Sequence, residues 1–253
     1  QTSGRGTFVP LIFQPGEAFQ FDWSEDYALL NGRPTKLQVA HTKLSHSRAF
    51  ITRAYLLQTH EMLFDALTQA FRVLGGVPQR GIFDNMKTAV DRIGQGKVRQ
   101  VNARFAAMAS HYLFEPDFCN VASGWEQGRV ENGVGYVKKN FLAGQEFIDF
   151  SAVQPAAQLW VDTVADVRVH GATQRRPVDM FEEERAQLKR LNPAGFDLAR
   201  VRTVSVNKQF RVALDSNAYS VPSRHVGQRL TMKAWADRVC IYAKGDLVAH
   251  HPR

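Results

Sequence analysis

Residues 18–24 read Ala-Phe-Gln-Phe-Asp-Trp-Ser, an alternating aromatic run with an aspartate inside it. The period marks a strand, yet aspartate is depleted in strand interiors because it packs poorly there and has to be desolvated. Asp22 therefore calls for a compensating charge that the rest of the chain must supply. Segments 36–43 and 48–55 are also rich in aromatic and β-branched residues, and turn-like stretches such as Asn31-Gly32-Arg33-Pro34 separate them. Three consecutive antiparallel strands are expected. From His60 to Leu74, the residues Met62, Leu63, Ala66, Leu67, Ala70, Phe71 and Leu74 follow helical spacing, and Gly75-Gly76 stops the helix. Residues 79–83 are extended again and end at Asp84. Strand, helix and strand in that order form a crossover, which places the new strand parallel within the same sheet.

Three antiparallel strands, a helix and a parallel strand are the opening order of an RNase H-like fold. In that arrangement the first and fourth strands lie side by side, so Asp22 and Asp84 come within metal-bridging distance. Downstream, residues 101–112 read as helix, 112–119 as extended and 125–142 as helix, with Val130, Val134, Val137 and Phe141 in one apolar stripe. Glu131 sits at the edge of that stripe, followed on its own face by Gly135 and then by Lys138 and Lys139. A carboxylate there can face a cleft while the lysines approach a phosphate backbone. Glu126 is the alternative acid, close to the helix start, where the helix dipole favours a carboxylate in any case. Helices over 152–168 and 178–190 follow. Composition changes at Asn192-Pro193-Ala194-Gly195, and from Thr203 onward the pattern is strand and turn, with Lys244-Gly245-Asp246 as a hairpin turn. The expected fold class is α/β. Residues 1–192 form an RNase H-like core with a mixed five-stranded sheet and flanking helices, and residues 193–253 a small all-β barrel.

The 253 residues are 44% hydrophobic and carry a formal net charge of +8, with a pI near 9.7, so a polyanionic partner is expected. The last 58 residues hold ten Lys and Arg against four Asp, a net +6. Lys87, Arg92, Lys97, Arg99 and Arg104 surround Gly94-Gln95-Gly96 with only Asp91 opposing them, which reads as a flexible loop gripping DNA phosphates. Arg129, Lys138 and Lys139 near the third acid, and Arg211, Arg224 and Lys233 in the barrel, are the other expected DNA contacts. Gly96-Lys97 is not a nucleotide-binding loop, since Asp91 replaces its first glycine and Val98 its Ser or Thr. The two cysteines, Cys119 and Cys240, have no partner at metal-ligand spacing, and the eight histidines show no metal-binding pairing. No apolar run approaches the roughly 20 residues of a membrane span, and a cytoplasmic protein without a membrane partner is expected.

The segments Gln20-Phe21-Asp22-Trp23, Phe83-Asp84-Asn85 with Lys87 and Ala89-Val90, and Gly124-Trp125-Glu126-Gln127-Gly128-Arg129-Val130-Glu131-Asn132 resemble the three acidic motifs of the IstA-type transposases of the insertion sequence 21 family. That family belongs to the wider group of retroviral integrases and the Mu transposase. Tyr219-Ser220-Val221-Pro222 and Gly245-Asp246-Leu247-Val248-Ala249-His250-His251 are similar to the β-barrel that follows the core in this family. The resemblance implies a DDE polynucleotidyl transferase in which Asp22, Asp84 and Glu131 hold two Mg²⁺ or Mn²⁺ ions for 3′-end cleavage and strand transfer. It also implies double-stranded DNA at transposon ends and target, self-association on DNA, and a separate IstB-type ATPase helper. An RNase H-like nuclease or integrase without strand transfer, and a catalytically inactive DNA-binding protein, are the competing readings. The helix-turn-helix that precedes the core in the family is missing, and the chain reads as part of a longer one.

Overall fold

A computed structural model describes residues 12–84, 86, 88–93, 99–119 and 134–253. Strands β1 (Ala18–Leu30) and β2 (Arg33–Leu44) pair antiparallel, from Phe19 opposite Leu44 to Leu30 opposite Arg33. Both are longer than the sequence pattern suggests. Asn31 and Gly32 have φ of 49° and 71°, the mirror-image turn whose twist matches its strands, so Arg33-Pro34 belongs to β2. Strand β3 (Phe50–Tyr55) pairs with β2. Helix α1 (His60–Leu74) ends at Gly75 in the left-handed conformation, as a helix stop requires. Strand β4 (Arg80–Phe83) then lies parallel to β1, with Ala18 opposite Arg80 and Phe21 opposite Phe83.

A short hairpin intervenes, formed by β5 (Val90–Ile93) and β6 (Arg99–Val101). The expected basic loop around Gly94-Gln95-Gly96 lies outside the described residues, and its flanks are paired strands. Asn102 accepts from the Arg104 and Phe105 N–H groups to open helix α2 (Ala103–Tyr112), and β7 (Glu115–Phe118) pairs parallel outside β4. The sheet order is β3-β2-β1-β4-β7. This is the expected mixed five-stranded sheet, with an unexpected short strand β8 (Glu146–Phe147) parallel to the far end of β1.

One face of the sheet packs against α1 and α2 through Phe19, Phe21, Phe71, Phe83, Phe105 and Phe114, all buried. Phe83 meets Phe105 edge-on at 5.1 Å and Phe19 at 5.6 Å. Gly81 is required here, because a Cβ would lie 2.4 Å from the Phe19 ring. The other face is apolar toward the end of β1, where Ala28, Leu37, Val39 and Phe50 pack against Val137, Phe141, Leu142, Val153 and Val161. The described part of the expected 125–142 helix starts at residue 134 and ends in a wide turn, Lys138–Leu142. The expected 152–168 helix is α3 (Val153–Trp160) running into a second wide turn, Val161–Ala165. Helix α4 (Pro177–Arg185) stops short of residue 190, since Lys189 exchanges backbone hydrogen bonds with Val77.

Beyond residue 199 all strands are antiparallel: β9 (Arg200–Ser205), β10 (Arg211–Leu214), β11 (Asn217–Ser220), β12 (Arg229–Ala234), β13 (Arg238–Ala243) and β14 (Asp246–Pro252). The expected all-β C-terminal part is built of two sheets, β14-β13-β12-β9 and the β10-β11 hairpin. They share one core that includes Val212, Tyr219, Leu230, Met232 and Ile241. Four charged groups tie these sheets to the first: Glu61 of α1, fully buried, lies 2.7 Å from Arg253 and 3.3 Å from Arg200. Asp215 accepts from the same two guanidinium groups.

Candidate active site

The register of β1 and β4 determines where the acids go. Phe21 and Phe83 are partners on the aromatic face, and side chains alternate along a strand, so Asp22 and the residue after Phe83, Asp84, emerge on the opposite face. Both line a cleft of about 300 Å³ with Trp23, Ser24, Glu25, Gln38, Gln58 and Met86. Asp22 is half-buried and accepts the Trp23 N–H at 2.8 Å, while Asp84 is exposed. The cleft is smaller than the groove of about 540 Å³ between α1, β3 and the C-terminal sheets. A polymer lying across a surface needs an open cleft, so size alone does not locate this site. Two carboxylates on adjacent strands, one within β1 and one directly after β4, are a hard-oxygen donor set suited to a divalent cation.

Other buried acids have structural tasks. Asp65 accepts from Arg53 at 2.9 Å, Tyr55 at 2.7 Å and Gln69 at 3.2 Å, and Glu184 accepts the backbone N–H groups of Gly16 and Ser47 at 2.9 and 3.0 Å. These donors account for burying both charges.

Beside Asp22 the structure gathers residues that the sequence does not single out. Ser24 and Asp26 follow at two-residue spacing on the same face, and His41 is the register partner of Asp22 on β2. The Ser24 hydroxyl donates to Asp26 Oδ2 at 2.7 Å and lies 2.8 Å from His41 Nε2. Asp26 Oδ1 is 3.2 Å from Lys138 Nζ. Burial pushes His41 down to about 4, against the opposing pull of Asp26, which keeps the ring neutral near pH 7. The alternation of β1 is a signal for this acidic face, but the pairing with His41 depends on register and is not legible locally.

The third acid, Glu131, and its alternative Glu126 lie outside the described residues, as do Lys87, Lys97 and Arg129. Among the described residues no three His, Cys, Asp or Glu side chains form a metal-binding group. Arg92 and Arg99 belong to the two arms of the β5–β6 hairpin. Lys138 and Lys139 are exposed, and an added Cβ at Gly135 would meet open space. Arg211 and Arg224 are exposed, whereas Lys233 is 3.8 Å from Asp197. Arg224 lines a cleft of about 750 Å³ together with His225, Gln228, Arg229 and Lys244. The structure thus brings Arg224 to two bases that sequence reasoning did not include, and leaves Arg211 on the separate hairpin. No helix among the described residues is long and apolar enough to cross a membrane.

Residues 191–253 match the family model of the Mu transposase C-terminal domain. Over its whole length the chain is 50% identical to a transposase of Aminobacter aminovorans, covering 50% of that protein. It is 32% identical, over 94% of its length, to the transposase for insertion sequence element IS21 of Pseudomonas aeruginosa, covering 61% of it. The chain spans about half the length of the curated relatives it matches. Its fold is similar to that of a chain in the cryo-EM structure of the simian T-cell lymphotropic virus intasome in complex with PP2A regulatory subunit B56 gamma. The TM-score is 0.53 with 12% identity, covering 99% of this chain and 81% of that one.

Proposed function

This chain belongs by sequence to the insertion-sequence transposases related to that of IS21, and from that premise we propose that it is the catalytic core of a DNA transposase. In this reading Asp22, Asp84 and Glu131 are the catalytic carboxylates. The observation that carries it is the Phe21–Phe83 register, which supports bringing Asp22 and Asp84 to one cleft. The carboxylates are a donor set that fits Mg²⁺ or Mn²⁺, and Asp22, Asp84 and Glu131 would hold such ions. When bound, such ions offset the negative charge that develops on the attacking and leaving oxygens of a phosphodiester.

The chain's own residues hold and orient. β1 and β4 fix two carboxylates against the rigid aromatic layer, so that the reacting phosphate meets a preorganised site. One site then serves two reactions on DNA: water frees a 3′ end at the transposon boundary, and that 3′ hydroxyl attacks the target strand. No covalent protein intermediate is needed. Lys139 and the cleft of Arg224, Arg229 and Lys244 are proposed to meet phosphates, a reading that their exposure supports, and Lys87, Arg92, Lys97, Arg99, Arg129 and Arg211 are proposed to do the same. Two copies on DNA and a separate IstB-type ATPase complete the assembly we propose.

The test is a joining assay with end-sequence DNA and Mg²⁺ in the full-length protein. Asp22→Asn, Asp84→Asn and Glu131→Gln should each abolish joining while leaving the fold intact, and a variant that joins normally removes its residue from the set. Hydrolysis without joining would favour a nuclease, and binding alone a DNA-binding protein.

A further inference from the structure

We propose that Ser24 orients the attacking nucleophile in the candidate cleft, with Asp26 and His41 as positioning residues that act through it. This role rests on the reading of Asp22 and Asp84 as catalytic carboxylates. Ser24 is half-buried and lines the cleft that holds both of them. Its two partners lie deeper, Asp26 at 1% exposed and His41 at 3%. Polar groups in such a place are costly unless hydrogen bonds compensate them. Asp26 is the carboxylate of an ion pair, with Lys138 Nζ 3.2 Å from its Oδ1, and a carboxylate only accepts. The 2.7 Å contact at Oδ2 is therefore donated by Ser24, whose hydroxyl has one hydrogen. None is left for His41, so the 2.8 Å contact between Ser24 and His41 Nε2 is donated by the ring. On the other side of the ring, His41 Nδ1 is buried without a hydrogen-bond partner. Ser24 alone thus sets the proton on Nε2, and the orphaned nitrogen is a cost to the fold. Apolar side chains at positions 26 and 41 would avoid that cost, so stability does not account for the arrangement.

What the arrangement does fix is the character of Ser24. A hydroxyl has one hydrogen and two lone pairs. The hydrogen is committed to Asp26 and one lone pair to His41, and Ser24 Oγ makes no other hydrogen bond among the described residues. To a molecule in the cleft it can offer only an acceptor. Such a group is repelled by phosphate oxygens, which also only accept, and it attracts an O–H. Water and a 3′ hydroxyl, the two nucleophiles of the proposed reactions, are both O–H donors. The spacing suits this use. Asp22 and Ser24 stand on one face of β1, about 7 Å apart, a gap that a carboxylate, one nucleophilic oxygen and the Ser24 hydroxyl fill at contacts of about 2.7 Å. Accepting its hydrogen restricts the orientation of the nucleophile before it attacks.

The test uses the full-length protein and has two parts. In protein labelled with ¹⁵N-histidine, with His41 assigned by its absence in His41→Gln, NMR should find a proton on Nε2. A bare Nε2 would overturn the proposal, since Ser24 would then donate to His41 and not to Asp26. The second part compares Ser24→Ala, Ser24→Thr, Asp26→Leu and Asp22→Asn. Ser24→Ala should slow single-turnover cleavage and joining 10- to 100-fold, with DNA affinity and its salt slope unchanged, because Ser24 neutralises no phosphate. Ser24→Thr, which keeps the hydroxyl, should recover most of the rate, and Asp26→Leu, which frees the hydrogen, should be as slow as Ser24→Ala. A Ser24 that only supports the fold predicts a lower melting temperature in Ser24→Ala with normal turnover, and that result would overturn the role. An Asp26→Leu variant of normal turnover would remove Asp26 from it. Should Ser24→Ala fail to fold, Ser24→Cys takes its place, with a similar shape and a much weaker acceptor. Joining that persists in Asp22→Asn would refute the catalytic reading itself, while the ring of His41 still tests the hydrogen-bond chain.

Discussion

Phe21 and Phe83 are register partners on adjacent parallel strands, both buried in one aromatic layer, and each is followed by an acid that emerges on the other side of the sheet. The placement of the candidate site thus depends on packing beneath it. Phe83 touches Phe19, Phe21, Phe105, Phe114 and Phe118. Replacing it by Ala removes the centre of that layer and should cost about 3–5 kcal/mol, read as a lower midpoint in urea unfolding. A change under about 1 kcal/mol would mean that this layer does not fix the strands.

The four-charge cluster of Glu61, Arg200, Asp215 and Arg253 joins α1 to three places in the C-terminal sheets. Glu61 is fully buried, so Glu61→Ala leaves two guanidinium groups short of a partner, at a cost of about 3 kcal/mol or more. Calorimetry should then resolve separate unfolding of the two parts. A single transition at the parental temperature would show that apolar contact alone holds them together.

Asp166 supplies a pH test of the fold. Burial, then Asp162, push it up to about 7, above its unfolded value. Its contribution to stability is therefore fully present below the unfolded pKa near 4 and is lost as pH rises through about 7. Asp166→Asn should leave stability at about pH 4 little changed and raise it at about pH 8, by at most about 4 kcal/mol. Thermal melts of both proteins across that range give the answer, and an equal difference at both ends would reject the assignment.

The basic cleft of Arg224, Arg229 and Lys244 should contribute to DNA affinity by neutralising phosphates. Replacing all three by Gln should weaken binding to any sequence and lower the salt slope by about 0.9 for each phosphate that is no longer neutralised. The same triple change at Arg175, Arg176 and Lys36, which are paired with Glu183, Asp179 and Glu25, should have much less effect. Equal effects in the two sets would mean that charge alone, wherever placed, decides affinity.

How much of this is legible in the sequence depends on the range of the interaction. The crossover from β1 through α1 to β4 can be read because each element announces its period: the alternation around Asp22, the helical stripe from Met62 to Leu74, and the stop at Gly75. Those three facts place Asp22 and Asp84 on neighbouring strands. The β5–β6 hairpin is missed because its arms are short and a Gly-Gln-Gly run between them reads as loop. The His41–Ser24–Asp26–Lys138 chain and the Glu61–Arg253 pair are invisible for a different reason. Each joins residues far apart in sequence, and a local pattern records neither register nor the docking of sheets. Lys138 shows the consequence, since its sequence context suggests a phosphate whereas the structure pairs it with Asp26.

If Asp22 and Asp84 share a divalent metal, anomalous diffraction from a crystal of the full-length protein soaked in Mn²⁺ will locate it. The expected result is a peak between the two carboxylates that disappears in Asp22→Asn. A saturating soak that leaves this position empty, in a protein that joins DNA ends with Mn²⁺, would contradict the shared site.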